Sequence, residues 1–249
     1  MGAVHAGGGG GRRKEGVPER DGPDQSPPVR RVQPVSPTVQ VPGDPGEEGL
    51  KQARGNVFLA GVGGQGTLLA SEVLGDAFLL GGFDVKKSEV HGMAQRGGAV
   101  TTHLRFGPKV FSPLIEQGTA DLLVAFEKME ALRFAHFLKP GGAAVVNAQE
   151  VMPPSVATGR ERYPERIEER LAEVTPNLYL VDALAAALAL REVRAVNMVM
   201  VGAASRLLPL REACYLEALR ARLPERIVEV NAKAFRAGRA LMAPHEAGR

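Results

Sequence analysis

The sequence predicts an α/β fold: a mainly parallel sheet with helices on both faces and a helical C-terminal part. Three observations carry this. Short apolar runs alternate with segments of helical period from Asn56 onward, a glycine-rich turn (Gly61 to Gly66) joins the first run to the first helix, and no strand-like run follows Asp182. Strands buried on both faces read as continuous apolar runs, whereas half-solvated strands alternate.

The elements follow in order. Asn56 to Ala60 is a short apolar run ending in glycine and reads as the first strand. Thr67 to Leu80 places Leu69, Val73, Ala77 and Leu80 at helical spacing, and Gly81–Gly82 stops it. Phe83 to Ser88 reads as the second strand, Glu89 to Gly98 as a polar glycine-rich loop, and Ala99 to Phe106 as the third strand. Asp121 to Phe126 is the fourth strand, followed by a helix from Lys128 to Leu138 that Pro140–Gly141–Gly142 ends. Ala143 to Asn147 is the fifth strand, and Asn177 to Val181, after a looser stretch with Pro153, Pro154 and Pro164, is the sixth. The last helix, Glu225 to Leu241, carries Ile227, Val230, Ala234, Ala237 and Leu241 as its buried stripe.

Composition divides the chain. Residues 1–50 hold a run from Gly7 to Gly11 and many prolines but almost no Leu, Ile or aromatic side chains. Such a segment cannot bury enough apolar surface to offset chain entropy, so it reads as a disordered extension. Residues 51–249 then form one Rossmann-like domain.

Several function classes are disfavoured. The net charge is only +3, and basic residues interleave with acidic ones, as in Arg160–Glu161–Arg162 and Glu168–Glu169–Arg170. A nucleic-acid binder concentrates positive charge on one face, and with no Trp and three Tyr there is little to stack on bases. The charges read as a solvated surface. No apolar stretch resembles a secretory signal or a membrane span, and Glu15, Glu19, Asp21 and Asp24 argue against a transit peptide, so the expected location is the cytoplasm. The one cysteine, Cys214, cannot form an internal disulfide or supply the four thiolates of an iron–sulfur cluster. In a helical stretch from Arg211 to Leu223, beside Leu216 and Leu219, it reads as a buried, inert thiol.

Two loops at predicted strand ends hold the unusual residues. Gly61–Val62–Gly63–Gly64–Gln65–Gly66 fits G-x-G-x-x-G between strand and helix. Helix-end amides favour an anion there. A dinucleotide would further require an acidic residue at the end of the second strand. Asp84 begins that strand and Glu89 comes late, so three readings stay open: a dinucleotide, another anionic group, or packing alone. Thr67 stands where a phosphate-loop lysine would be needed. In the second loop, Ser88 to Gly98, His91 suits a base, a hydrogen-bond donor or a structural group, and has no companion for metal binding. Arg96 beside Gly97–Gly98 suits a carboxylate or phosphate, or pairs with Glu89 across the loop.

Together, Gly61 to Gly66 (GVGGQG), Lys87 to Gly98 (KSEVHGMAQRGG) and Asn197 to Ala203 (NMVMVGA) resemble the beta-subunit family of indolepyruvate ferredoxin oxidoreductases, over about residues 55–242. The glycine loop alone marks the wider superfamily of gamma subunits and domains of pyruvate and 2-oxoglutarate ferredoxin oxidoreductases. The VHGMAQRGG stretch points to the indolepyruvate branch. The resemblance implies a large alpha subunit as partner, carrying thiamine diphosphate, magnesium and [4Fe–4S] clusters, with no cofactor held by this chain alone. The complex would convert an arylpyruvate and coenzyme A to an aryl-acetyl-CoA and carbon dioxide, passing electrons to ferredoxin. Gly63, Gly64, Gln65 and Gly66 would receive an anionic group, a coenzyme A phosphate. Glu89, His91, Gln95, Arg96, Gly97, Gly98 and Asn197 would border the substrate channel or the subunit interface. No catalytic residue, nucleic acid or membrane is assigned to this chain.

Overall fold

The computed structural model of the chain describes residues 52–91 and 98–242, with His91 and Pro154 described by backbone alone. The expected disordered extension and three candidate site residues, Gln95, Arg96 and Gly97, lie outside the described residues.

Among the described residues six strands form one sheet: β1 (Gly55–Val62), β2 (Asp84–His91), β3 (Ala99–Gly107), β4 (Ala120–Ala125), β5 (Leu138–Asn147) and β6 (Asn177–Val181), in the order β2-β3-β1-β4-β5-β6. The neighbours β1, β4, β5 and β6 pair in parallel, whereas β3 runs antiparallel to both β1 and β2. Every strand except β3 therefore points the same way. The exception has a simple cause: a parallel return needs a crossover of about a dozen residues or more, and the link from β2 to β3 is too short for one.

The helices are α1 (Thr67–Leu80), α2 (Lys128–Phe134), α3 (Ile167–Val174), α4 (Ala183–Ala189), α5 (Val196–Ser205), α6 (Glu212–Arg222) and α7 (Glu225–Leu241), with a short helical turn at Pro154–Ala157. They cover both faces. Val57 and Leu59 of β1 join the core formed with α1, α5, α6 and α7, while Phe58 and Ala60, pointing the opposite way, pack with Ala131 of α2 and Ile167 and Leu171 of α3. Among the described residues no helix is long and apolar enough to cross a membrane.

Three elements differ from the expected ones. β2 extends through His91, so Glu89 and His91 lie on a strand and not in a loop; pairing with Thr102 and Val100 of β3 outweighs their polar character. The expected helix from Lys128 to Leu138 is α2 followed by a tight turn, Ala135–Phe137, and Leu138 already belongs to β5. Pro140–Gly141–Gly142 is thus an irregularity within β5, where pairing passes from Ala120↔Leu138 to Leu122↔Ala143. On α7 the buried line runs through Asn231, Ala234, Phe235 and Gly238, and the expected Ile227, Val230, Ala237 and Leu241 border it, only partly buried. Cys214 is also only partly buried, packed at the margin of the core.

The reason for the rotated stripe is a close helix crossing. A Cβ on Gly202 of α5 would stand 1.9 Å from the carbonyl oxygen of Phe235, and one on Gly238 of α7 would stand 1.9 Å from that of Val199. The two backbones touch.

His103 of β3 is 9% exposed, with its ring 4.8 Å from that of Phe58 and its Nδ1 accepting the Ile115 N–H at 3.0 Å. Burial holds its imidazole below the usual range, so the neutral form is the folded one. The unfolded chain then binds the proton more readily, and this part of the stability is complete above pH ~6.5 and shrinks as the pH falls below it. Urea unfolding should give a lower midpoint at pH 5.5 than at pH 7.5, and His103→Asn, which keeps an acceptor for Ile115, should narrow that difference. An undiminished difference in the variant would place the acid sensitivity elsewhere.

Candidate functional site

The chain order reverses at β1, which has β3 and β2 on one side and β4, β5 and β6 on the other. Open α/β sheets form a ligand crevice at such a point, outside the carboxyl ends of the strands. Here that position holds a cleft of about 240 Å³, lined by Gly64, Gln65 and Gly66 after β1, Phe126 after β4, Gln149 after β5, and Leu184, Val193, Arg194 and Val196 from the helical part.

The glycine loop is tied on every side. The Gln65 side chain bridges two strands, its Oε1 accepting the Val62 N–H at 2.8 Å and its Nε2 donating to the Phe126 carbonyl at 3.0 Å. Gly63 N–H donates to the Gly98 carbonyl at 3.0 Å, so the two loops singled out in the sequence meet directly. Gly66 caps α1 in the left-handed region at φ 76°, with no capping side chain and no acidic residue in the first turn. The first amides of α1 are therefore left for a ligand or solvent. Beneath the loop, Asn197 is 4% exposed; its Nδ2 donates to the Gly66 carbonyl at 3.3 Å and its Oδ1 accepts the Met198 N–H at 2.9 Å.

These bonds sort the expected site residues. Gly64 and Gly66 face the cleft with their backbone. Gln65 and Asn197 spend their side chains on holding the loop. Gln65→Glu would set a carboxylate oxygen against the Phe126 carbonyl, and because one buried polar pairing costs about 1–3 kcal/mol when broken, its urea midpoint should fall below that of the native chain; an equal midpoint would mean that the bridge contributes nothing.

β2 is separated from β1 by β3. Glu89 pairs with Lys87, whose Nζ also donates to Ser71 Oγ of α1 at 3.3 Å. Asp84 sits at the amino end of β2, away from the crevice, where its carboxylate pairs with Lys86 and accepts the Val110 N–H. These two hydrogen bonds hold it below the usual carboxylate range. Asp84 therefore does not stand where a dinucleotide ribose would need an acid, and Glu89 is paired with Lys87 on a strand that β3 separates from β1.

The far wall of the cleft was not legible in the sequence. Asn147, buried at the end of β5, donates to the Phe126 carbonyl at 3.1 Å and to Gln149 Oε1 at 3.3 Å, and accepts the Ala183 N–H at 3.3 Å. Behind Phe126 lies Glu127, fully buried, accepting N–H groups of Glu130 and Val151 and the Tyr163 hydroxyl. Burial, and then the bond to Glu127, pushes the Tyr163 hydroxyl far above the usual phenol range. At the mouth, Glu192 accepts from Arg194 Nε at 3.0 Å and Nη2 at 3.3 Å, one bond to each carboxylate oxygen. Among the described residues no group of three or more His, Cys, Asp or Glu side chains could hold a metal ion.

Residues 56–241 match the family model of pyruvate ferredoxin/flavodoxin oxidoreductase. The indolepyruvate oxidoreductase subunit IorB of Archaeoglobus fulgidus is 40% identical over 187 residues, covering 74% of this chain and 92% of that protein. The gamma subunit of a keto/oxoacid ferredoxin oxidoreductase from Geobacter sulfurreducens shares the fold, with a TM-score of 0.57 and 22% identity over 75% of this chain and 97% of that one. A 2-oxoglutarate:ferredoxin oxidoreductase from Magnetococcus marinus, solved with 2-oxoglutarate, coenzyme A and succinyl-CoA bound, aligns with a TM-score of 0.58 and 22% identity over 77% of this chain but 31% of its own length.

Proposed function

The chain belongs to the pyruvate ferredoxin/flavodoxin oxidoreductase family, and on that premise we propose that it is the beta subunit of an indolepyruvate ferredoxin oxidoreductase. Its complex converts an arylpyruvate and coenzyme A to an aryl-acetyl-CoA and carbon dioxide, and passes the electrons to ferredoxin. A large alpha subunit carries thiamine diphosphate, magnesium and the [4Fe–4S] clusters. The donors of this chain do not fit a cluster, since its single thiol, Cys214, packs at the core margin. The decarboxylation chemistry belongs to the thiamine on the partner.

One observation supports the division of labour. The crevice is built to bind, with a pinned glycine loop and uncapped helix amides, yet at about 240 Å³ it falls below the ~300–1,000 Å³ of a complete small-molecule site. Half a site suits a subunit. Gly64 and Gly66 present amides to a phosphate of coenzyme A, while Gly63, whose N–H is taken by the Gly98 carbonyl, and the side chains of Gln65 and Asn197 keep them in place. Glu89 and His91 on β2, with Gln95, Arg96, Gly97 and Gly98 after it in the sequence, border the substrate channel or the subunit interface.

Co-expression with a large cysteine-rich partner tests this. The purified complex should reduce ferredoxin with indolepyruvate in a coenzyme A-dependent way, and do so faster than with pyruvate or 2-oxoglutarate. Preference for either of those substrates would move the chain to a neighbouring branch, and turnover by the lone chain would end the proposal.

A further inference from the structure

We propose that Arg194 is a phosphate-recognition residue of the cleft, binding coenzyme A through the edge of its guanidinium that Glu192 leaves free. The proposal rests on reading this cleft as the coenzyme A side of the shared site. The polar side chains that line the cleft are those of Gln65, Gln149 and Arg194. Both ends of the Gln65 amide are engaged within the fold. The Gln149 Oε1 accepts from Asn147, which leaves its Nε2 as a donor. Among the described residues no carboxylate lines the cleft itself, and Glu192 at its mouth is bonded to Arg194. What faces a ligand is a set of donors between the apolar walls of Phe126, Leu184, Val193 and Val196. Such a lining accepts an anion attached to a less polar group.

Arg194 is the cation of that set, and its geometry is specific. Glu192 grips the guanidinium side-on, through Nε and Nη2, and its Oε1 also accepts the Arg194 backbone N–H at 3.3 Å. A guanidinium carries five donors in a flat fork, so a side-on grip leaves the end-on edge, Nη1 and the second Nη2 hydrogen, free for two parallel bonds. The Arg194 side chain is 87% exposed and Glu192 23%, and such an exposed pair adds little to folding. Its value lies elsewhere. Glu192 holds a long, mobile side chain in one orientation before a ligand arrives, which lowers the ordering cost of binding. Arg194 leads directly into α5, whose Asn197 holds the glycine loop, so both halves of the proposed phosphate grip share one rigid support.

The experiment uses the complex with its partner, measuring the KM for coenzyme A and inhibition by ADP, a phosphate-bearing fragment without the thiol. Charge-assisted bonds of this kind contribute enough that Arg194→Ala should raise both constants roughly tenfold or more. The kcat and the KM for indolepyruvate should stay as they were. Arg194→Lys, a charge without the fork, should fall between. Glu192→Ala should raise the coenzyme A KM to a smaller extent, and should change nothing further once Arg194 is absent, which a merely structural glutamate would not do. Coenzyme A and ADP constants within twofold of native for Arg194→Ala would overturn the proposal. If Gly66→Ala still impaired coenzyme A use, the cleft would keep its assignment; if neither variant did, the assignment of the cleft would fail as well.

Discussion

Gly202→Ala is expected to lower the unfolding free energy by at least ~3 kcal/mol, and Gly238→Ala by a similar amount. Overpacking a core by one methyl usually costs about 1–3 kcal/mol, because neighbouring side chains shift to admit it. Here no side chain can yield. The new Cβ would stand 1.9 Å from a backbone carbonyl oxygen in either helix, so α5 and α7 must move apart as bodies. That separation opens the core around Met198, Tyr215 and Phe235, all buried. Thermal unfolding should shift downward by roughly 6–12 °C for a domain of this size. Gly75 provides the internal control. It lies inside α1, where an added Cβ meets only Leu104 Cδ1 at 4.0 Å, and replacing glycine by alanine within a helix stabilises it by about 0.5–1 kcal/mol. Gly75→Ala should therefore raise the melting temperature. Equal, small effects at all three positions would mean that α5 and α7 do not meet backbone to backbone.

Gly66→Ala should damage function more than any other single methyl. The left-handed backbone at φ 76° costs a non-glycine residue roughly 1–2 kcal/mol. The added Cβ would also come within 2.5 Å of Asn197 Nδ2 and 3.0 Å of its Cγ. Asn197 is buried and bonded on both ends of its amide, so it cannot swing away without releasing Gly66 and Met198. The loop must move instead, and misplacing a binding loop by about an ångström can cost on the order of a hundredfold in rate. The expected result in the assembled enzyme is a loss of about that size in kcat/KM for coenzyme A. Combining Gly66→Ala with Asn197→Ala removes the nearest clash but not the backbone strain, so the double variant should recover part of the loss. Full additivity of the two losses would show that Asn197 does not set the position of the loop.

Much of the fold was legible because β1, β4 and β6 are short, largely apolar runs. α1 matched its expected limits, since Gly66 and Gly81–Gly82 punctuate it in the sequence. What escaped depends on distant partners. The polar end of β2 looked like a loop until β3 was seen to pair with it. The expected stripe on α7 passes over Phe235 and Gly238, and Gly238 lies against α5 because it is the residue without a side chain. At the site, the glycine loop announced itself, while the duties of its neighbours did not. Gln65 looked like a ligand-facing amide, yet its partner, Phe126, lies 61 residues away. Asn197 is 131 residues from the glycine that it holds. Phe126, Gln149, Leu184 and Arg194 come from separate strand ends and helix starts, and only the folded sheet brings them to one cleft.

The most direct test is the cofactor content of this polypeptide, expressed anaerobically with and without the proposed large partner. Iron, acid-labile sulfide, thiamine diphosphate and visible absorbance would be measured on both preparations. All four should be present in the complex and missing from the isolated chain. Stoichiometric iron or thiamine on the chain by itself would contradict the claim that it shapes part of a shared cavity while its partner holds the redox groups.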